Sequence, residues 1–253
     1  MKTEHPMLFK AEMVLALLDG RKTQTRRFHG LEVLNEDPGR WKVVRPLKPL
    51  EKLLGADIPA MGFPQADEGA WIAMENPAGV ALDNYRLIRC PYGHAGHTIW
   101  GRENFRYFGW DKERVSIGYK ADDTFASLPT PPGVFKKLDR KEKAFIASIG
   151  TRKKAPDPMR PLPCLFLPRF ASRLNLPIKD IRAERLQDMT EMDAKAEGSP
   201  ELSGMPTYFR FGDQTYREWF RELWNSINGS TFPWAFNPWV WRIEFERMVK
   251  DGE

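Results

Sequence analysis

Cysteine is nearly missing from this chain: Cys90 and Cys164 are the only two in 253 residues. Two cysteines cannot build the disulfide framework that staples small secreted proteins. No apolar run approaches the ~18 residues that a membrane-spanning helix needs, and the first residues lack the apolar core of a secretory leader. The expectation is a soluble, cytoplasmic protein with no membrane partner. Familiar catalytic signatures are missing too. There is no phosphate-binding P-loop, no dinucleotide fingerprint, no Ser-His-Asp arrangement and no His-Glu-x-x-His pair. That excludes nucleotide-driven motors and the common hydrolases, and no cofactor is expected.

What is present argues for a folded protein with an anionic partner. Hydrophobic residues make up 42% of the chain and nine are tryptophan, enough to bury a sizeable core and to exclude global disorder. The formal charge of +5 and a pI near 9.1 favour nucleic acid as the partner, without the extreme bias of a histone-like protein. The basic residues concentrate early, in Arg21-Lys22-Thr23-Gln24-Thr25-Arg26-Arg27. Before them, Met13, Val14, Leu17 and Leu18 recur at helical spacing, and Gly20 falls where a helix stops. A short basic segment leaving a helix end presents ammonium, guanidinium and hydroxyl groups together. These are the groups that hold phosphates and position polar bases. A solvated basic strand is the other reading that charge alone allows.

Along the chain, residues 7–28 read as strand, helix over about 11–19, and strand. Residues 29–85, rich in proline, glycine and charge, read as an insertion. Residues 123–163 read as a second one, proline-rich and then basic through Lys136, Lys137, Arg140, Lys141, Lys143, Arg152, Lys153 and Lys154. Strand patterns recur at 98–105 and 115–119, and again between Arg173 and Leu186 as one or two strands interrupted near Pro177. Thr190 to Asp193 resembles a helix N-cap with an acid at the third helical position, and Gly198 supplies a stop. Tyr216, Trp219, Phe220, Leu223, Trp224 and Ile227 trace one apolar helix face ended by Asn228-Gly229. The last segment, 239–247, alternates as a half-buried strand should: Trp239, Trp241, Ile243 and Phe245 inward, Val240, Arg242, Glu244 and Glu246 outward. Strands dominate, with helices at either end. The pattern predicts a small β-barrel decorated with helices.

These residues carry a resemblance. Gly20 to Arg26 resembles the signature of the ASCH family, a branch of the PUA-like β-barrels, and the chain as a whole is most similar to ASCH-domain proteins of phages and prophages. The resemblance also rests on Met7-Leu8-Phe9-Lys10, on Cys90-Pro91-Tyr92-Gly93 leading into Trp100-Gly101-Arg102-Glu103, on Pro168 to Arg173, on Glu184 to Asp188, and on Leu223 to Gly229 with Asn237 to Trp241. These blocks cover about half the chain. The resemblance implies a single α+β, PUA-like domain over 1–253 that binds RNA or a modified nucleoside. It further implies an amidohydrolase that removes an acetyl group from the exocyclic amine of cytidine. Lys22 and Thr25 match two of that enzyme's site residues. Met189-Thr190-Glu191 matches a helix start from which Glu197 follows as the carboxylate. One position departs: Gly96-His97 stands where the family usually has Gly-Asp.

The residues themselves add constraints. In an ideal strand Lys22 and Thr25 face opposite sides, so they converge only if the strand bulges or Lys22 lies in the turn. Glu197 ends its helix, and Asp193 lies one turn earlier. The macrodipole and like-charge repulsion both press that carboxyl toward a higher pKa, as a general base needs; an exposed acid at a helix end is the simpler reading. Arg21, Arg26, Arg27, Trp100 and Arg102 are the candidates for meeting nucleic acid. Cys90, His94, His97 and Cys164 have a spacing workable for zinc, but Cys-Pro-Tyr-Gly reads better as a turn and no metal is expected. Trp219, Trp224, Trp239 and Trp241 belong to core-facing stripes. Two function classes remain: a hydrolase acting on a modified nucleobase or on RNA, and a non-catalytic RNA-binding or assembly module.

Overall fold

The computed structural model describes residues 3–44, 70–75, 85–149, 155–200 and 215–246. The elements run β1 (Glu4–Leu8), α1 (Ala11–Leu18), β2 (Gln24–Arg27), β3 (Trp41–Val44), β4 (Ala70–Glu75) and β5 (Tyr85–Arg89). Next come β6 (Thr98–Arg102), β7 (Phe105–Trp110), β8 (Arg114–Tyr119), β9 (Phe125–Pro129) and α2 (Val134–Ser148). The chain closes with β10 (Asn175–Arg185), α3 (Glu191–Ala196), α4 (Tyr216–Asn228) and β11 (Trp239–Phe245). This is a mixed α+β fold dominated by sheet. Among the described residues no closed barrel is formed.

The chain divides into two compact units. The first comprises Met1–His5, Asp19–Thr98 and Leu176–Glu253; the second comprises Pro6–Leu18 and Ile99–Asn175.

In the first unit β11 is the central strand, antiparallel to β10 on one side and to β2 on the other. The basic segment near the start and the tryptophan strand near the end are therefore neighbours. Expectation and structure part over burial. Val240 is fully buried and Arg242 nearly so, where the alternating pattern predicts a wet face. The reason is a second layer: Val240 packs with Leu186, Met189, Ala194, Phe220 and Trp224, which belong to α3, α4 and the turn before them. Residue 247, the predicted strand end, lies outside the described residues.

Both helices of this layer start on reciprocal caps. Thr190 accepts from Asp193 N–H while the Asp193 carboxylate accepts from Thr190 N–H, and Thr215 with Glu218 repeats the arrangement. Gly198, at φ 96°, turns the chain out of α3 through the left-handed region where a side chain would be strained. β10 runs unbroken for eleven residues, absorbing its irregularity as a register shift between Ile178 and Asp180.

The stretch read as a first insertion holds the antiparallel sheet β3–β4–β5. Its buried Asn35 exchanges two hydrogen bonds with the Trp239 backbone, at 3.0 and 2.6 Å. Residues 45–69 and 76–84 of that stretch lie outside the described residues.

In the second unit β7, β8 and β9 form an antiparallel sheet whose inner face carries Phe105, Val115, Ile117 and Tyr119. Leu138 of α2 completes this core, while Lys136, Lys137, Arg140, Lys141 and Lys143 stay exposed. The stretch read as a second insertion thus contributes a strand and a helix; its Arg152, Lys153 and Lys154 lie outside the described residues.

Candidate active site

Period two along β2 puts Lys22, Gln24 and Arg26 on one side of the sheet. The register adds Arg242 and Glu244 of β11, and Asp180, Arg182 and Glu184 of β10, to the same side. α3 lies over it and contributes Asp193 and Glu197. The chain is stitched there by backbone as well: Thr23 N–H donates to Ala196 O at 2.8 Å, and Lys22 forms an antiparallel bridge with Glu197.

The side chains form a buried ionic network. Lys22 Nζ donates to Glu197 Oε2 at 2.6 Å and to the Glu197 carbonyl at 2.9 Å. Arg26 donates to Glu197 Oε1 at 3.1 Å and twice to Glu184 Oε1, at 3.0 and 2.7 Å. Arg242 donates to Gln24 Oε1 at 3.0 Å and lies 3.3 Å from Asp193 Oδ1. Three cations (Lys22, Arg26, Arg242) thus meet three carboxylates (Glu184, Asp193, Glu197), so the desolvated charge cancels. A network this deep is tolerated only because its members satisfy one another.

Glu197 is therefore not the exposed acid its position at a helix end suggests: it keeps 4% of its surface. Nor does Asp193 act chiefly as its like-charged neighbour, since Asp193 caps Thr190 and faces Arg26 and Arg242. Burial presses the Asp193 carboxyl upward, but Thr190, Arg26 and Gln24 outweigh it and hold the carboxyl down at about 2. Burial pushes the Lys22 ammonium below the ordinary lysine range, partly offset by the Glu197 carboxylate. The contact at 2.6 Å sets a desolvated lysine and a carboxylate, a proton donor and a proton acceptor, side by side.

The expected trio closes only in part. Lys22 and Glu197 meet, but Thr25 pairs with Ile243 in a register free of bulges, on the sheet side opposite Lys22. Alternation alone accounts for this. Of the residues read as candidates for nucleic acid, Arg26 is consumed by Glu184 and Glu197. Arg21 reaches back to the carbonyls of Gly198 and Ser199, at 2.8 and 3.2 Å, and pairs with Asp19. Arg27, across from Trp241, is pushed below its ordinary pKa by burial, against the opposing pull of Tyr92 and Glu197. Trp100 and Arg102 belong to the second unit, where Trp100 is buried and the Arg102 guanidinium lies 4.5 Å from its ring centroid.

Cys90-Pro91-Tyr92-Gly93 is a turn closed by Gly93 N–H on Cys90 O at 3.2 Å. Burial drives the Cys90 thiol up to about 12, which disfavours the thiolate a metal needs. His97 contacts His94 and shares a 3.0 Å hydrogen bond with His5, while Cys164 falls in the second unit. Among the described residues no group of three His, Cys, Asp or Glu side chains is placed to hold a metal ion.

Gln24, Glu184, Asp193 and Arg242 complete the network, a role that short motifs do not reveal. The signal was a polar residue at every second position on two strands, and it reads as a solvent face until a helix is known to cover it. Compared with known proteins, the chain matches no family model, no curated protein and no solved structure.

Proposed function

We propose that this chain is a nucleic-acid-directed protein of the ASCH, PUA-like kind, and that its first unit hydrolyses an amide on a modified nucleobase. The reading rests on one observation: Lys22 and Glu197 meet at 2.6 Å in a desolvated site, with the lysine pressed below its ordinary pKa. In acetylated cytidine the bond to break joins the acyl carbon to the exocyclic nitrogen. Water attacks the acyl carbon and Glu197 accepts its proton. The tetrahedral species collapses as the Lys22 ammonium protonates the departing amine, giving cytidine and acetic acid, which loses its proton to water as acetate. The proton on Glu197 then returns to Lys22 across their hydrogen bond. Water takes the nucleophile's part because the Thr25 hydroxyl belongs to the other side of the sheet. Arg26 holds the second carboxylate oxygen and fixes the direction of the first. The side chains of Lys22 and Glu197 both lie buried beneath α3.

That burial favours a second reading, in which the same network is architecture and the protein binds RNA without cleaving anything. Acetate release from acetylated cytidine separates the two. The hydrolase reading expects turnover by the wild type and a loss of roughly a hundredfold or more in Glu197→Gln, with thermal melting as the folding control. A wild type inert on acylated nucleosides and on RNA leaves the binding module.

A further inference from the structure

The outer face of the β7–β8–β9 sheet carries a different kind of chemistry. Register places Arg106, Gly118 and Phe125 in one row across the three strands, and Arg114, Ser116 and Ser127 on the same side. The side chains of the opposite side make the apolar core of the second unit, so this side faces away from that core. Yet it presents aromatic rings: Phe125 is 75% exposed and Phe108 is 47% exposed, at a ring-centroid separation of 6.5 Å.

The rings are placed, not merely left over. Period two puts Phe108 on the same face as Arg106, next to the register shift between Tyr107 and Gly109. Its ring rests on Gly118, where a Cβ would lie 2.1 Å from the ring. Any larger residue at 118 would lift the ring off the sheet. The Arg106 guanidinium lies 4.1 Å from the same ring centroid. Arg114 is held across β9 by Ser127. The three strands contain no aspartate or glutamate at all. No ion pair among the described residues reaches Arg106 or Arg114, although the Asp111 carboxylate just after β7 feels the Arg114 charge.

We infer that this face binds a single-stranded nucleic acid, its bases stacking on Phe125 and Phe108 and its phosphates meeting Arg106 and Arg114. A sheet that offers flat π-surfaces between fixed cations suits a strand whose bases are unpaired, because a duplex keeps its bases stacked on one another. A purely apolar partner would leave two guanidinium groups desolvated without counter-charge.

Fluorescence anisotropy with a labelled twelve-nucleotide single-stranded RNA tests this on the full chain. Phe125→Ala is expected to weaken binding by about tenfold or more, while its high exposure leaves the melting temperature unchanged. Phe108→Leu keeps an apolar side chain on Gly118 but removes the ring, and it is expected to weaken binding as well. A duplex of the same sequence is expected to bind less tightly than the single strand. The inference stands on the second unit alone: Phe125→Ala should leave hydrolysis of free acetylated cytidine intact, and Lys22→Ala should leave strand binding intact. Equal binding by Phe125→Ala and wild type overturns it, as does a preference for duplex. Self-association that Phe125→Ala abolishes, without any RNA binding, assigns the face to a second copy of the chain and overturns it also.

Discussion

Arg26 has its whole guanidinium out of water, with Glu184, Glu197 and Asp193 around it. Taking it away leaves Glu184 Oε1 and Glu197 Oε1 without their arginine donor in the interior. Arg26→Ala is therefore expected to lower unfolding stability by about 3–5 kcal/mol, measured by denaturant titration; Arg21, half-buried and bonded to carbonyls at the rim, should cost far less. Asp193 sets an acid limit. Its folded pKa, held down at about 2, lies below the ~3.9 of an unfolded aspartate. Its stabilising contribution is therefore present above pH 4 and lost as pH falls toward 2, because the unfolded chain takes up the proton first. Asp193→Asn should flatten that part of a stability-against-pH curve. Lysine 22 and glutamate 197 were legible in the sequence through their motifs. The role of Arg26 was not, since an arginine in a basic run looks the same whether it meets a phosphate or three buried carboxylates.

Helix α3 is six residues long, too short to persist on propensity alone. Its reciprocal cap at Thr190 and its packing under α4 hold it, and its last turn delivers Glu197 to Lys22. Thr190→Ala is expected to cost about 1 kcal/mol and to reduce turnover beyond what that loss of stability explains, because the carboxylate it positions loses its fixed approach. Thermal melting and acetate release on the same sample check both parts. The start and stop of α3, the α4 stripe and the β11 alternation could be read from residue types, since caps and periodicity are local. That both sides of β11 are covered could not, because the second cover is a helix layer contributed by distant residues. The interruption expected near Pro177 is a register shift between Ile178 and Asp180 within the single strand β10.

For the whole molecule, a net charge of +5 says that an anion is welcome but not where it lands. The buried network removes Lys22 and Arg26 from that role, because their charges are already cancelled inside. Affinity for single-stranded RNA is expected to fall with salt. The logarithmic slope should shrink by about one for each of Arg106→Ala and Arg114→Ala and stay unchanged for a folded Lys22 variant; anisotropy titrations across a salt series give both slopes. The mixed sheet-rich fold was visible from strand count, whereas the division into two units was not. It depends on long-range packing by stretches such as residues 29–41 and 123–149, whose polar composition reads as loop.

The central claim is that Lys22 and Glu197 act as one catalytic unit, and a double-mutant cycle on acetate release from acetylated cytidine tests it most directly. Rates are measured for wild type, Lys22→Ala, Glu197→Gln and the double variant, each confirmed folded by its melting transition. The account predicts that each single change costs roughly a hundredfold or more and that the double variant loses little beyond either single one, as for residues that work together. An inert wild type, or losses that multiply in the double variant, would contradict it.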